Sequence, residues 1–257
     1  MTVEKPWPRL PTRPHNRRVT ATDDDLRPYF DAAATGLTFN SPLSEARATA
    51  LLDRIQPLTA SSHALDLGCG TGELLLRLCA HHGIAGDGVD RHAADAGTAR
   101  RRAVDLGLAD RVAFHTADAT TWDRPADIVL NVGASHIWGD SPAPALTALH
   151  RLTAPSGTLL FGDGVYETEP DATVREAFGD LPDLAGLART ATDAGFRVLH
   201  AATSTQGEWD DFESDWRAGV ERLATPGARA FADRRREEYL GGYRGVVGFA
   251  WLVLTPA

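Results

Sequence analysis

The residues Leu65-Asp66-Leu67-Gly68-Cys69-Gly70-Thr71-Gly72-Glu73 join an acid, three glycines at alternate positions and the start of a helical apolar pattern over Leu74 to Ala80. A short apolar strand released through glycines into a helix brings backbone amides close to a ligand, because glycine lacks a Cβ and adopts conformations other residues avoid. The spacing narrows the ligand. Gly68, Gly70 and Gly72 form G-x-G-x-G, whereas a dinucleotide turn uses G-x-G-x-x-G aimed at a pyrophosphate. Asp66, two residues before the first glycine, would repel a phosphate and could hold an ammonium group. Asp90 stands eighteen positions after Gly72 at the end of the next apolar run, where an acid accepts both hydroxyls of a ribose. The chemistry is that of a nucleoside cofactor with a cationic amino-acid tail.

A second group follows the fourth apolar run, in Asn131-Val132-Gly133-Ala134-Ser135-His136. Small residues there let the backbone pass close to a ligand. His136 then stands at the carboxyl end of a strand, where ligands bind in open α/β sheets, and its imidazole titrates near neutral pH as a general base must. Asp163, between Gly162 and Gly164, reads as an acid on a sharp turn at the rim of a cleft, able to orient His136 or grip a cationic acceptor. Trp138, Tyr166 and Trp209 together suit an aromatic wall for a flat or cationic substrate, while each taken alone fits core packing better. His81 and His82 close the first helix, where they complement its dipole.

The elements that must position these groups alternate. Apolar runs at Ala64-Leu67, Gly86-Val89, Val112-Thr116, Ile128-Val132 and Thr158-Phe161 are separated by helical patterns near 73-81, 93-106 and 143-152. Such alternation predicts a parallel sheet with helices on both faces. A helix over Leu184 to Ala194, a strand over Phe196 to Ala201 and a last strand over Gly248 to Thr255 bring the sheet to seven strands. Two helices precede it within 23-56, Asp23 to Ala34 and Pro42 to Ile55, the second with Ser41 as N-cap and Pro42 in the first turn. Residues 1-22 are proline- and arginine-rich without periodicity and read as a flexible segment, leaving 23-257 as a single domain. The stretch 203-247 is far longer than an ordinary connection. Trp209, Phe212, Trp216, Val220 and Leu223 repeat there at helical spacing, and a polar helix follows around Ala228 to Leu240. The aromatic face either packs on the core or forms a lid over an acceptor pocket.

The acid-led glycine turn, Asp90 and the order of the later runs resemble the class I S-adenosylmethionine-dependent methyltransferases across residues 60 to 165. His136 with Ile137, Trp138 and Gly139 resembles the G-[AS]-[ST]-H-x-x-G pattern of a bacterial small-molecule group in that family. The resemblance implies a Rossmann-like doubly wound sheet whose last strand is inserted antiparallel. It implies S-adenosyl-L-methionine as cofactor and S-adenosyl-L-homocysteine as product. Asp118 would receive the adenine amino group, with Ala119 as a backbone donor beside it, although Asp118 also suits a turn cap. Cys69 and Arg91 would complete the cofactor set, and Asn131 and Gly133 would wall the methionine part. The activity implied is methyl transfer to an oxygen or nitrogen of a small molecule, possible specialised metabolites among them. A peptide carboxylate methyltransferase and a non-catalytic cofactor-binding subunit stand as alternatives.

Composition limits the remainder. With 257 residues, 43% of them hydrophobic, the chain can bury a full core, and the longest apolar run, Gly245 to Leu254, is far short of a membrane span. Met1 to Arg18 has no apolar segment of the secretory kind, so a cytoplasmic location is expected. A net charge of -9 disfavours nucleic acid as a partner. The basic runs Arg100 to Arg102 and Arg234 to Arg236 read as solvated helix faces. Two cysteines, Cys69 and Cys79, without CxxC spacing or a histidine cluster, give neither a disulfide framework nor a metal site.

Overall fold

The computed structural model describes residues 23–55 and 58–257; the flexible-segment reading of residues 1–22 lies outside the described residues. The strands are β1 His63–Leu67, β2 Ala85–Asp90, β3 Val112–Thr116, β4 Ala126–Val132, β5 Thr153–Tyr166, β6 Phe196–Thr203 and β7 Val247–Pro256. The helices are α1 Asp23–Ala34, α2 Glu45–Leu52, α3 Glu73–His82, α4 Ala93–Asp105, α5 Pro142–Leu152, α6 Ala172–Phe178, α7 Leu184–Asp193, α8 Gln206–Glu221 and α9 Pro226–Glu238. The strands join in one sheet ordered β3-β2-β1-β4-β5-β7-β6. β1 runs parallel to β2 and β4, as does β2 to β3 and β4 to β5, while β6 and β7 are antiparallel. The strand order reverses between β1 and β4, so the carboxyl ends of these two strands diverge into a crevice.

Where the sequence reading has one domain over 23–257, the chain packs as two compact units. The larger comprises 44–165, 182–203 and 249–257 and carries the sheet. On one sheet face Leu65, Leu67, Val89 and Val129 pack with Leu146 and Leu149 of α5 and Leu187 of α7. On the other, Gly86 and Gly88 let neighbours approach the β2 backbone. A Cβ on Gly86 would lie 2.9 Å from Leu75 Cδ1 of α3, and one on Gly88 2.5 Å from the Phe114 ring. β7 is buried along almost its full length, which explains its uninterrupted apolar sequence. Glu73 bonds Arg77 at 2.7 Å and pairs with Arg102, while Arg77 also bonds Glu45, so one ion network ties α2, α3 and α4 together.

Several boundaries differ from expectation, and three of them bear on packing. α2 starts at Glu45 because Ser44, not Ser41, accepts the Arg47 N–H; Ser41 instead offers its carbonyl to Leu43 N–H at 2.8 Å and closes a turn. β5 is longer than Thr158-Phe161 at both ends. Its start takes up a register shift between Ala126 and Ile128 of β4. At its other end Gly162 makes room for β7: a Cβ there would meet Phe249 at 2.8 Å and Trp251 at 3.1 Å.

The smaller unit comprises 166–181, 204–248 and, among the described residues before 44, 23–43. Here the aromatic face of α8 packs inward. Phe30 of α1 meets Trp216 at 5.6 Å, Phe231 of α9 meets Trp216 at 5.9 Å, and Trp209 meets Tyr243 at 6.4 Å between ring centroids. Gly219 lets α8 approach α1, since a Cβ would stand 2.6 Å from the Ala32 carbonyl. Leu223, assigned to this face by spacing, is 39% exposed because α8 ends at Glu221. α6, which the sequence reading leaves unassigned, is capped by Asp171 on Val174 N–H. No helix among the described residues is long and apolar enough to cross a membrane.

Candidate functional site

The turn after β1 uses each of its glycines differently. Gly68, Gly70 and Gly72 have φ of +78°, +51° and +76°, a region that costs other residues energy. At Gly72 a Cβ would lie 2.5 Å from the Phe114 ring, so this glycine serves packing. At Gly68 a Cβ would lie 2.5 Å from Ala134 Cβ and 3.2 Å from Ile137 Cδ1, so the glycine seats the segment after β4. In front of Gly70 no described atom lies within 4 Å of a Cβ position. That space is open to a ligand.

Two acids lie under this turn. Asp90 ends β2 and accepts the Gly70 N–H at 2.9 Å and the His92 N–H at 2.8 Å, one on each carboxylate oxygen, so it pins the glycine turn. Asp66 is in β1, two residues before the turn, and pairs with Gly88 and Leu130 in the neighbouring strands. Burial, with the Asp90 charge adding to it, pushes its carboxyl up to about 8. At neutral pH that group keeps its proton until a cation arrives. Burial, Asp66 and Asp90 likewise hold the Cys69 thiol well above its ordinary range, which excludes a reactive thiolate.

Asp118 is exposed and caps the short 3-10 turn Ala119–Thr121. Its Oδ1 accepts from the Thr120 N–H and hydroxyl at 2.8 and 2.7 Å, which lowers its carboxyl, with a smaller contribution from the Arg91 charge. Ala119 is buried. Asn131 is fully buried on β4; its Nδ2 donates to the Leu67 carbonyl at 2.8 Å, and its Oδ1 has no partner among the described residues. Such an orphan acceptor is costly unless a ligand donor completes it. Gly133 has φ +65°, donates its N–H to the Gly162 carbonyl at 2.8 Å, and has no described atom within 4 Å of a Cβ position. The buried acid, the orphan acceptor and the space before Gly70 and Gly133 fit a nucleoside cofactor with a cationic tail.

His136 is half-buried on a 3-10 turn, Ser135–Ile137, directly after β4. Asp163 is not on a sharp turn: it lies inside β5, which continues to Tyr166. Its Oδ1 accepts the Gly164 N–H at 2.8 Å, and burial raises its carboxyl against the lowering influence of that N–H and of the Ser135 hydroxyl. The aromatic wall also needs correction. Tyr166 is 7% exposed and donates its hydroxyl to the Gly179 carbonyl at 2.6 Å, while Trp209 is 4% exposed among Phe212 and Tyr243. Both serve packing in the smaller unit, and Trp138 is partly buried against the core of the larger one. Asp90, His92 and Asp95 bring potential metal-ligand atoms within 4.8 Å of one another, a group that cysteine spacing gives no sign of, and both carboxylate oxygens of Asp90 already hold the turn.

Comparison with known proteins adds to this geometry. Residues 64–157 match the family described as methyltransferase domain. The uncharacterized protein YjhP of Escherichia coli (strain K12) is 30% identical over 198 residues, 74% of this chain and 79% of that protein. A 27-O-demethylrifamycin SV methyltransferase of Amycolatopsis mediterranei (strain S699) is 30% identical over 132 residues, 49% of this chain and 48% of that protein. A crystal structure of an SAM-dependent methyltransferase from Thiobacillus denitrificans, in complex with S-adenosyl-L-homocysteine, superposes with a TM-score of 0.80 at 26% identity, covering 89% of this chain and 98% of that one.

Proposed function

This chain belongs to the class I S-adenosylmethionine-dependent methyltransferases, and we propose that it methylates an oxygen or nitrogen of a small-molecule acceptor, with His136 as general base. S-adenosylmethionine, when bound, supplies a methyl group already activated on its sulfonium. The remaining work is alignment, exclusion of water and removal of the acceptor proton. Asp66 would neutralise the ammonium group, and the unpaired Asn131 Oδ1 is an acceptor for the same tail. Asp90 would take the ribose hydroxyls with the lone pairs left by Gly70 and His92, and Asp118 the adenine amino group. Gly70 and Gly133 leave room for a ligand to approach the backbone, and Cys69, Arg91 and Ala119 would complete the cofactor set.

The observation that carries the acceptor side is the seating of Ala134 and Ile137 on Gly68. One packed contact joins the cofactor turn to the turn bearing His136, so the base stands beside the place where the methyl group is presented. The Amycolatopsis relative, whose name refers to a 27-O position, supports oxygen as the accepting atom. The test uses cofactor labelled in its methyl group with a panel of hydroxylated, amino and carboxylate small molecules. His136→Ala should lower turnover about 100-fold or more while affinity for S-adenosylhomocysteine stays within about threefold. Near wild-type turnover of this variant from pH 6 to 9 would remove the base role. Label found only in peptide carboxylates, or in nothing despite intact cofactor binding, would overturn the small-molecule reading.

A further inference from the structure

We propose that Glu73 is a positioning residue for the cofactor: held between Arg77 and Arg102, its carboxylate locks the glycine turn onto α4 in the shape that binds S-adenosylmethionine. This role concerns cofactor binding alone and is independent of the acceptor and of His136. Gly72 is the weak point of the turn. It has φ +76° and gives α3 an N-cap without a side-chain bond to the first helical amides, and glycine loses more freedom than any other residue when it is fixed. A side chain at that position cannot do the fixing, because a Cβ would lie 2.5 Å from the Phe114 ring and 3.2 Å from Ala99 Cβ of α4. The nearest side chain able to hold the junction of turn and helix is Glu73.

Only 10% of the Glu73 side chain is exposed, although an acid in the first turn of a helix gains from the dipole without being buried. Arg77, one turn further along α3, donates Nε to Glu73 Oε1 at 2.7 Å, and Arg102 of α4 pairs with Oε2, so each carboxylate oxygen has its own guanidinium. Arg102 shares a face of α4 with Ala99, three residues earlier, which is the residue against Gly72. α4 is itself fixed. Arg100 donates to the Phe114 carbonyl of β3 at 3.1 and 2.7 Å, and Asp90, which accepts the Gly70 N–H at 2.9 Å, also accepts the N–H of His92, the N-cap of α4, at 2.8 Å. Asp90 thus ties the turn to the start of α4, and Glu73 ties it to the last turn of that helix. Desolvation offsets most of the attraction in a buried ion pair, so the orientation that this cluster fixes accounts for it better than net stability does.

Arg102 is the member to change, because it is 36% exposed on α4 and its loss leaves Glu73 paired with Arg77. Binding of S-adenosylhomocysteine to the full chain is measured by calorimetry, with urea unfolding and NMR hydrogen exchange of the cofactor-free protein beside it. A turn that keeps its binding shape about a tenth of the time binds about tenfold more weakly. That loss is expected in Arg102→Met, and a larger one in Glu73→Ala. Exchange at the Gly70 and Gly72 amides, which bond Asp90 and the Cys69 carbonyl, should rise about tenfold while the β1 amides stay unchanged. Arg102→Lys keeps a charged donor for Oε2 and should stay within about threefold of wild-type affinity. Glu45→Ala should do the same, since Glu45 is at the outer end of the network, on Arg77.

A merely structural cluster would lower urea stability and leave the affinity of the folded protein unchanged. That result in Arg102→Met overturns the role given to Glu73, and this variant decides the matter if Glu73→Ala does not fold. Equal loss of affinity in Arg102→Lys and Arg102→Met would also overturn it, because a charged donor to Oε2 would then not be the working property. So would exchange that rises as much in β1 as in the glycine turn. Binding by the wild-type chain, measured first, keeps the cofactor assignment separate from this one.

Discussion

Asp66 carries a pH dependence whose sign follows from its surroundings. Its carboxyl titrates at about 8 in the folded chain, far above its unfolded value, so between those values the folded state binds a proton that the unfolded state has lost. Stability of the cofactor-free protein should therefore fall as pH rises toward 8 and level off above it. Asp66→Asn should flatten that slope in thermal melts. An ammonium ligand prefers the ionised acid, so S-adenosylhomocysteine binding below pH 8 should expel a proton and tighten with pH, by at most about tenfold per unit. Calorimetry at pH 7 in buffers of different ionisation enthalpy measures that proton directly; an enthalpy independent of buffer would separate Asp66 from the ammonium. Asp90 has two duties, since it also pins Gly70 and His92. Asp90→Ala should weaken S-adenosylhomocysteine binding by about 1.5–3 kcal/mol, read by titration, and unchanged affinity in a folded variant would exclude it from the ribose site.

The glycine turn is an element in which like residues answer to unlike constraints. Gly70→Val should abolish S-adenosylhomocysteine binding with the circular dichroism spectrum retained, because the new side chain enters space that only a ligand would fill. Gly72→Ala should act on the fold instead: positive φ and contact with Phe114 combine there, and a loss of about 1–3 kcal/mol in denaturant unfolding is expected. Equal effects of the two substitutions on binding and stability would mean that the turn is a uniform packing device. The alternation of apolar runs and helical patterns already locates this turn in the sequence. Which glycine faces ligand and which faces Phe114 or Ala134 is a property of contacts from β3 and from the segment after β4.

At the scale of the molecule, the stretch inserted before the last strand builds a second compact unit with its own polar centre. Glu213 of α8 is buried and accepts two bonds from Arg235 of α9, each 2.8 Å, and one from the Tyr243 hydroxyl at 2.8 Å, while the Arg235 guanidinium lies 3.8 Å from the Trp216 ring centroid. Removing one partner leaves a buried charge uncompensated, so Arg235→Ala should cost about 3–5 kcal/mol in urea unfolding. Replacing both members with apolar residues, Glu213→Leu with Arg235→Met, should recover much of the loss. A double variant as unstable as the single one would show that the pair is worth more than its desolvation costs. Composition and spacing mark α8 as amphipathic, yet Glu213 reads there as one more surface acid.

Local pattern determined a great deal on its own. Periodicity and glycine placement locate the seven strands, the cofactor turn with Asp66 and Asp90, and the helix following it, because backbone preference and face alternation act over a few residues. The tertiary structure decided what depends on residues far apart in the chain. It extended β5 through Asp163, since Phe249 and Trp251 pack into the space above Gly162. It buried Trp209 and Tyr166, whose type suits a substrate wall, and moved the start of α2 to the cap at Ser44. It left Asn131 Oδ1 without a partner among the described residues, and it raised the Asp66 carboxyl chiefly by burying it, with the Asp90 charge adding to the effect. A residue's type sets what chemistry it is able to do; burial and neighbours, which only the closed sheet supplies, set its protonation and its reach.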